Sequence, residues 1–331
     1  MLRRVATSRR RIPLFCPFLG SRFLHSVSKV SGTDALTKLL GIQGFEQSFD
    51  RNGLHPLVVP LASDTRGTHV IGLLHWPSKD AGCMVVSAQR QTKGKQVDAE
   101  TLWLRPLGTV AQFARRAAVE ADAAGSSSDF AVKVIDAAAT VAADTGSAVY
   151  AAGELAESRL RLPQFLLMRV GPFADVWEEV VRGQLAKGDT TAALIAGERN
   201  SSLNRGWGCC MYAQSTVMAE LGRDEEQRDL ALAALEAPFW TLGAPVRQVL
   251  EAAKLSHIED VRTLMRVMED QVRTQQGAPP RTAHELALLR ALDAMDDVVR
   301  CEGSWDESRA TVAAALEDAG LTDAARVAAP L

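Results

Sequence analysis

The chain has 331 residues, 47% of them hydrophobic, and carries 37 lysines and arginines against 40 aspartates and glutamates. That apolar fraction suffices for one large or two ordinary domains, and the slight acidity argues against a protein that lives on phosphate backbones. No apolar run approaches the ~20 residues that span a bilayer, so a soluble chain is expected.

The charge is unevenly spread. The first 33 residues hold Arg3, Arg4, Arg9, Arg10, Arg11, Arg22 and Lys29 and no acid, interleaved with Thr7, Ser8, Ser21, Ser26 and apolar residues such as Leu14, Phe15 and Phe18. An Arg-rich, Ser-rich, acid-poor start is the composition of an organellar transit peptide. Pro13 and Pro17 keep any amphipathic turn short. Without these residues 30 bases remain against 40 acids, which disfavours general nucleic-acid binding by the body. The richness in arginine, without a long hydroxyl-dominated stretch, tilts the expected destination to the mitochondrial matrix, with the plastid stroma as alternative. The cysteines Cys16, Cys83, Cys209, Cys210 and Cys301 show no CxxC pattern, in keeping with a reducing compartment.

Residues 34–44 read as a short helix with Asp34 as its cap and Leu36, Leu39 and Leu40 on one side. Segments 54–61, 69–75, 83–88 and 97–105 are short, rich in β-branched or bulky apolar residues, and separated by Gly/Pro/Asp/Lys clusters. They predict a small antiparallel sheet. Alternation is clearest at 101–104, and Pro56 and Pro60 make the first segment an edge strand. From Gly108 the spacing becomes helical, with Ser126 to Ser128 forming a loop and cap before a second helix over 130–143. Residues 175–200 and 207–238 each read as a helical hairpin with a Gly turn, and residues 304–328 as a last, partial pair. Small-residue packing and a Pro stop in a unit of about 34 residues resemble tetratricopeptide repeats; generic helical hairpins fit the pattern equally. The expected class is α+β: a transit peptide (1–33), a small α+β domain with an antiparallel sheet (34–125) and an all-helical, hairpin-built domain (126–331).

No catalytic signature is present. There is no GxxxxGK[ST], no GxGxxG after a strand and no GxSxG. His55, His69 and His75 with Cys83 could converge on a metal, but their spacings match no compact ligand pattern, and ordinary hydrogen-bonded histidines are the default. Cys209 and Cys210 follow a Gly-rich loop at a helix start, where the dipole favours a thiolate. Against reactive thiols stands the tendency of free cysteine to be buried. Glu178, Glu179, Asp293, Asp296 and Asp297 sit at helical spacing, as a solvated face would place them. No cofactor or metal is expected.

Recognition has better candidates. The loop 90–95 carries Arg90, Lys93 and Lys95 and could meet an acidic partner or a phosphate. Trp207 and the loop residues Phe239 and Trp240 would mark a partner surface if exposed; buried, they would brace helix packing.

Three stretches, Asn52 to Leu61 (NGLHPLVVPL), Leu73 to Pro77 (LLHWP) and Phe239 to Gly243 (FWTLG), resemble an organellar protein family of plants and algae. The likeness runs from about residue 50 to the end and rests on no motif of known chemistry. It implies a soluble organellar protein with a helical C-terminal half. The expected function is that of a non-enzymatic organellar scaffold or assembly subunit acting on other organellar proteins. An enzyme using Cys209 or Cys210, and an RNA-associated factor, are the alternatives.

Overall fold

The computed structural model describes residues 30–78, 82–91, 103–125, 128–300 and 303–330. Helix α1 (Thr33–Ile42) buries Leu36, Leu39 and Leu40, as the spacing predicts. Its entry is made by Gly32 at φ +84°, so Asp34 lies inside the first turn rather than capping it. A five-stranded antiparallel sheet follows in chain order: β1 (Glu46–Gln47), β2 (Val58–Ser63), β3 (His69–His75), β4 (Cys83–Gln89) and β5 (Arg105–Pro106). Residues 54–57, read as strand from their composition, instead form a turn before β2, since Pro56 cannot donate to a ladder. Pro60 stands inside β2, which is not an edge strand. It is tolerated because β1 pairs only with Ala62 and Ser63, and because a bulge interrupts the β2–β3 register between Pro60 and Ala62. Of the fourth segment, residues 97–102 lie outside the described residues, and Arg105 and Pro106 pair with Ser87 and Val86.

Both faces of this sheet are buried. Leu61, Ile71, Leu73 and Val85 pack with residues of α1, α2 (Val110–Gly125) and α3 (Asp129–Thr145), including Leu36, Leu40, Ala114, Ala118 and Val134. Val58, Val70, Leu74, Val86 and Ala88 point the other way, into a core shared with Leu235, Trp240, Val299, Trp305 and Leu316 from far along the chain. An antiparallel sheet normally keeps one face wet. Here residues of either parity are apolar, which is why alternation was faint in the sequence. Thr109 caps α2, its hydroxyl accepting from Gln112 N–H at 3.2 Å while Gln112 Oε1 accepts from Thr109 N–H at 2.9 Å. Ser128 caps α3 as expected, accepting from Ala131 N–H at 3.1 Å. The expected boundary between residues 125 and 126 falls between α2 and α3, two helices that pack on each other beneath the sheet.

After short α4 (Glu154–Ser158) and α5 (Leu162–Phe165), the chain runs through α6 (Ala174–Ala186), α7 (Thr190–Leu203), α8 (Gly208–Glu220) and α9 (Asp224–Leu235). Both members of the α6–α7 hairpin recur 34 residues later as α8–α9, and each pair packs side by side. Asp189 caps α7 through Ala192 N–H at 2.9 Å. Then come α10 (Val246–Ala252), α11 (Val261–Gln275), α12 (Ala283–Val299), α13 (Trp305–Asp318) and α14 (Thr322–Ala328). Among the described residues no helix is long and apolar enough to cross a membrane.

The last helices clamp the first sheet. Arg309 on α13 is 3% exposed. Its Nη2 donates to the carbonyls of Arg51 at 2.8 Å and Leu54 at 2.9 Å. Asp306 accepts from Gly53 N–H at 2.9 Å, and Arg51 donates to the Val327 carbonyl on α14. Gln91 ties the end of β4 into the same junction, accepting from Trp305 N–H at 3.0 Å and donating its own N–H to the Gly53 carbonyl at 2.7 Å. Gly53 has φ +66°, and a Cβ there would lie 2.1 Å from the Gln91 carbonyl oxygen. Neither the conformation nor the space admits a side chain. Gly53→Ala is therefore expected to cost about 2–4 kcal/mol, read by urea unfolding, whereas Gly67→Ala in the open β2–β3 turn, also at positive φ but with nothing within 4 Å of its Cβ, loses only about 1 kcal/mol of backbone strain.

Candidate interaction cleft

The three stretches that carried the resemblance meet in space. Trp240 is fully buried, with ring centroids 5.2 Å from Trp76, 6.4 Å from Trp207 and 4.7 Å from His55. His55 is itself wedged against Trp305 at 4.7 Å. Phe239, 1% exposed, donates its N–H to Asp296 Oδ1 at 2.6 Å and lies under the Arg262 guanidinium, 4.1 Å from the ring centre. Arg262 pairs with the other oxygen of Asp296. Asp296 is 1% exposed. Two sequence readings are thereby corrected. Asp296 belongs to no solvated face; it is the buried acceptor that fixes the 237–242 segment. Trp207, Phe239 and Trp240 offer no surface to a partner, because all three are buried, the two tryptophans among other aromatic rings and Phe239 beneath Arg262. Arg90 is likewise occupied at home, donating to Asp50 Oδ2 at 3.0 Å and to the carbonyls of Asp50 and Gly67 at 2.9 and 3.0 Å. Lys93 and Lys95 lie outside the described residues.

The histidines do not converge. His69 Nε2 lies 2.5 Å from Ser87 Oγ. His75 faces Cys83 across β3 and β4, with 3.4 Å between Nε2 and the sulfur. Burial pushes the Cys83 thiol up to about 11. Among the described residues no three His, Cys, Asp or Glu side chains are grouped to hold a metal. His55 sits apart in its aromatic box, its Nδ1 accepting from Leu57 N–H at 3.3 Å, so the proton resides on Nε2 beside the indole faces. Burial, reinforced by the charge of Arg309, depresses its pKa to about 3. The unfolded chain binds a proton at this residue below pH 6.5 and the folded one does not, so stability falls as pH drops from 6.5 towards 3. Between pH 7.5 and 5.0 this residue alone is expected to remove about 2 kcal/mol of unfolding free energy. The loss should be absent in His55→Asn, whose amide oxygen can still accept from Leu57. Equal pH slopes for the two proteins in urea titrations would refute the assignment.

The open concavity of the molecule lies elsewhere. A cleft of about 720 Å³ runs between the sheet with α2 on one side and α6 with α8 on the other. Its floor includes Ile71 and Ser87, and its apolar walls include Leu107, Phe113, Tyr212 and Leu242. A recess of about 280 Å³ between α6, α7 and α8 adjoins it, sharing Asp175, Glu178, Arg182 and Ala213. Most charges here are internally matched. Arg116 donates to both oxygens of Asp175 at 2.8 and 2.6 Å and to Glu120 at 2.7 Å, and Arg182 pairs with Glu220. Glu178 is different. It is half-buried, and among the described residues it has neither a hydrogen bond nor an ion pair. Burial pushes its carboxyl above the usual range, Arg105 pulls it back and Asp175 pushes it further.

Two candidate thiols border this space. Cys209 lines the cleft, while Cys210 is 1% exposed with its sulfur 3.9 Å from that of Cys209. The contact with Cys209 and burial raise the Cys210 thiol well above its ordinary range. A helix start thus does not make Cys210 a thiolate: the Cys209 contact and desolvation outweigh the dipole. The His69–Ser87 pair, which sequence reading did not single out, has the geometry of a base and nucleophile. Ser87 lies mid-sheet between Ile71 and Arg105, where backbone donors serve the ladder instead of an oxyanion.

The fold and cleft define an α+β protein whose helical hairpins and sheet together enclose a groove. Residues 20–170 match the family described as PAB N-terminal, and residues 174–259 match the PAB middle domain. The chain is 27% identical over 274 residues to Protein IN CHLOROPLAST ATPASE BIOGENESIS, chloroplastic, of Arabidopsis thaliana, covering 82% of this chain and 77% of that protein. No solved structure matches the chain. These findings support the expected likeness to an organellar plant protein.

Proposed function

We propose that this protein is a non-enzymatic assembly factor of an organellar complex that works by protein–protein contact. The observation that carries this reading is the relative over four-fifths of the chain, whose name states a part in chloroplast ATPase biogenesis. It makes a plastid ATPase the first candidate complex, and it favours the plastid stroma over the mitochondrial matrix that the leader composition suggested. The transit segment then ends before about residue 30, short of the expected residue 33, because Val30 packs into the core and Gly32 forms the entry to α1. The 34-residue recurrence of α6–α7 in α8–α9 supports a tetratricopeptide-like hairpin array, an architecture whose inner surface suits peptides and partner helices. The engagement of Arg90 by Asp50 and the Gly67 carbonyl argues against the RNA-associated alternative.

The test is genetic and biochemical together. Loss of the protein should lower the amount of assembled plastid ATPase while synthesis of its separate subunits continues, and a tagged copy restored to the plastid should co-purify with unassembled subunits. A normal level of assembled ATPase in the null strain would overturn the proposal.

A further inference from the structure

We infer that the cleft between β5, α2, α6 and α8 seats a short segment of a partner protein that inserts a lysine or arginine side chain against Glu178. The inference deepens the assembly-factor reading and rests on it for the kind of partner, a polypeptide. Three observations on the cleft carry it. Its volume of about 720 Å³, open along one side and adjoining the 280 Å³ recess, admits a peptide rather than a lone ion. Its walls are largely apolar, with Phe113 and Leu107 facing Tyr212 and Leu242, so the occupant must bring apolar side chains.

The third is charge complementarity. The carboxylates of Asp175, Glu120 and Glu220 already have arginine partners within the chain. Glu178 and Arg105 alone of these cleft charges lack one among the described residues, and they stand on different walls, α6 and β5. A half-buried carboxylate without a partner is costly unless a cation arrives. Among the described residues Arg105 and Arg182 stop short of an ion pair with Glu178, so the cation is supplied by the occupant. Arg105 in turn offers its guanidinium to a carboxylate or backbone carbonyl on the same segment. The matched ligand is therefore an apolar peptide bearing a base, with an acceptor nearby, and the groove discriminates against a segment that brings an acid to Glu178.

Phage-displayed random 12-residue peptides, selected on the folded full chain, supply a defined probe. The selected peptides should share a Lys or Arg flanked by apolar residues. A synthetic copy, measured by fluorescence anisotropy, should bind Glu178→Gln about tenfold more weakly and Glu178→Lys not at all. Replacing the peptide's base by Glu should restore binding to Glu178→Lys. Thermal melts of the variants confirm folding, and Arg105→Gln, at an exposed position, gives a second measure with a smaller loss. Failure to enrich any peptide, enrichment without a base, or equal affinity for wild type and Glu178→Gln would overturn the inference. Such a failure leaves the ATPase-assembly reading standing on its own genetic test, and failure of that test leaves peptide binding measurable.

Discussion

Trp240→Ala is expected to remove about 3–5 kcal/mol of unfolding free energy, a large share of the ~5–15 kcal/mol that a folded protein possesses. The indole is fully buried against Trp76, Trp207 and His55, and the residue's carbonyl accepts from Leu104 N–H at 2.8 Å, tying residues 104 and 240 together. Truncation would leave a void lined by three rigid rings. Such rings cannot collapse inwards as aliphatic side chains do, so most of the cavity persists. Urea unfolding followed by circular dichroism measures the loss. The neighbours share contacts, so Trp240→Ala combined with Trp76→Ala should cost less than the two single losses added. A drop below about 1 kcal/mol for the single variant would mean that the indole is not packed as described.

Asp296→Ala should be comparably damaging, by about 3–5 kcal/mol, for an electrostatic reason. The carboxylate satisfies two groups at once: the Phe239 N–H and the Arg262 guanidinium, which stacks on the Phe239 ring. Its loss leaves a buried cation with no counter-ion, held by the Ala237 carbonyl at 3.3 Å, and a buried backbone donor without an acceptor. Asp296→Asn keeps the size and one acceptor and should fall between wild type and Ala. The decisive comparison is Asp296→Leu with Arg262→Met in one protein. Removing both charges removes the uncompensated ion, so the double variant should be more stable than Asp296→Ala. If it is not, the damage comes from lost shape and the ion pair is incidental.

Local features were legible where local chemistry decides. Leu36, Leu39 and Leu40 marked the buried side of α1, Ser128 marked the cap of α3, and the Gly turns at 188 and 222 with Pro238 marked the hairpins. The strands 69–75 and 83–89 were found by their β-branched residues and bounding turns. Their burial on both sides was not, because the second face is covered by elements far along the chain, among them α9, α12 and α13. Asp296 was misread since a carboxylate at helical spacing looks solvated until the arginine from another helix is known. Glu178 was misread for the related reason that a groove wall and a wet helix face share one composition. The three stretches that suggested a family, around His55, Trp76 and Trp240, carried a signal whose physical basis is now visible: they converge on one aromatic core. Nothing in any single stretch says that they touch.

The clasp between the 51–56 turn and α13 has a consequence for how the molecule is made. Arg309 closes on carbonyls some 255 positions earlier in the chain. Whether the polypeptide issues from a ribosome or threads through a translocation pore, one side of the β-layer stays greasy and uncovered until nearly all of the chain has arrived. Maturation must therefore wait for the tail, and a holding chaperone that shields the early strands meanwhile is a natural requirement of this architecture.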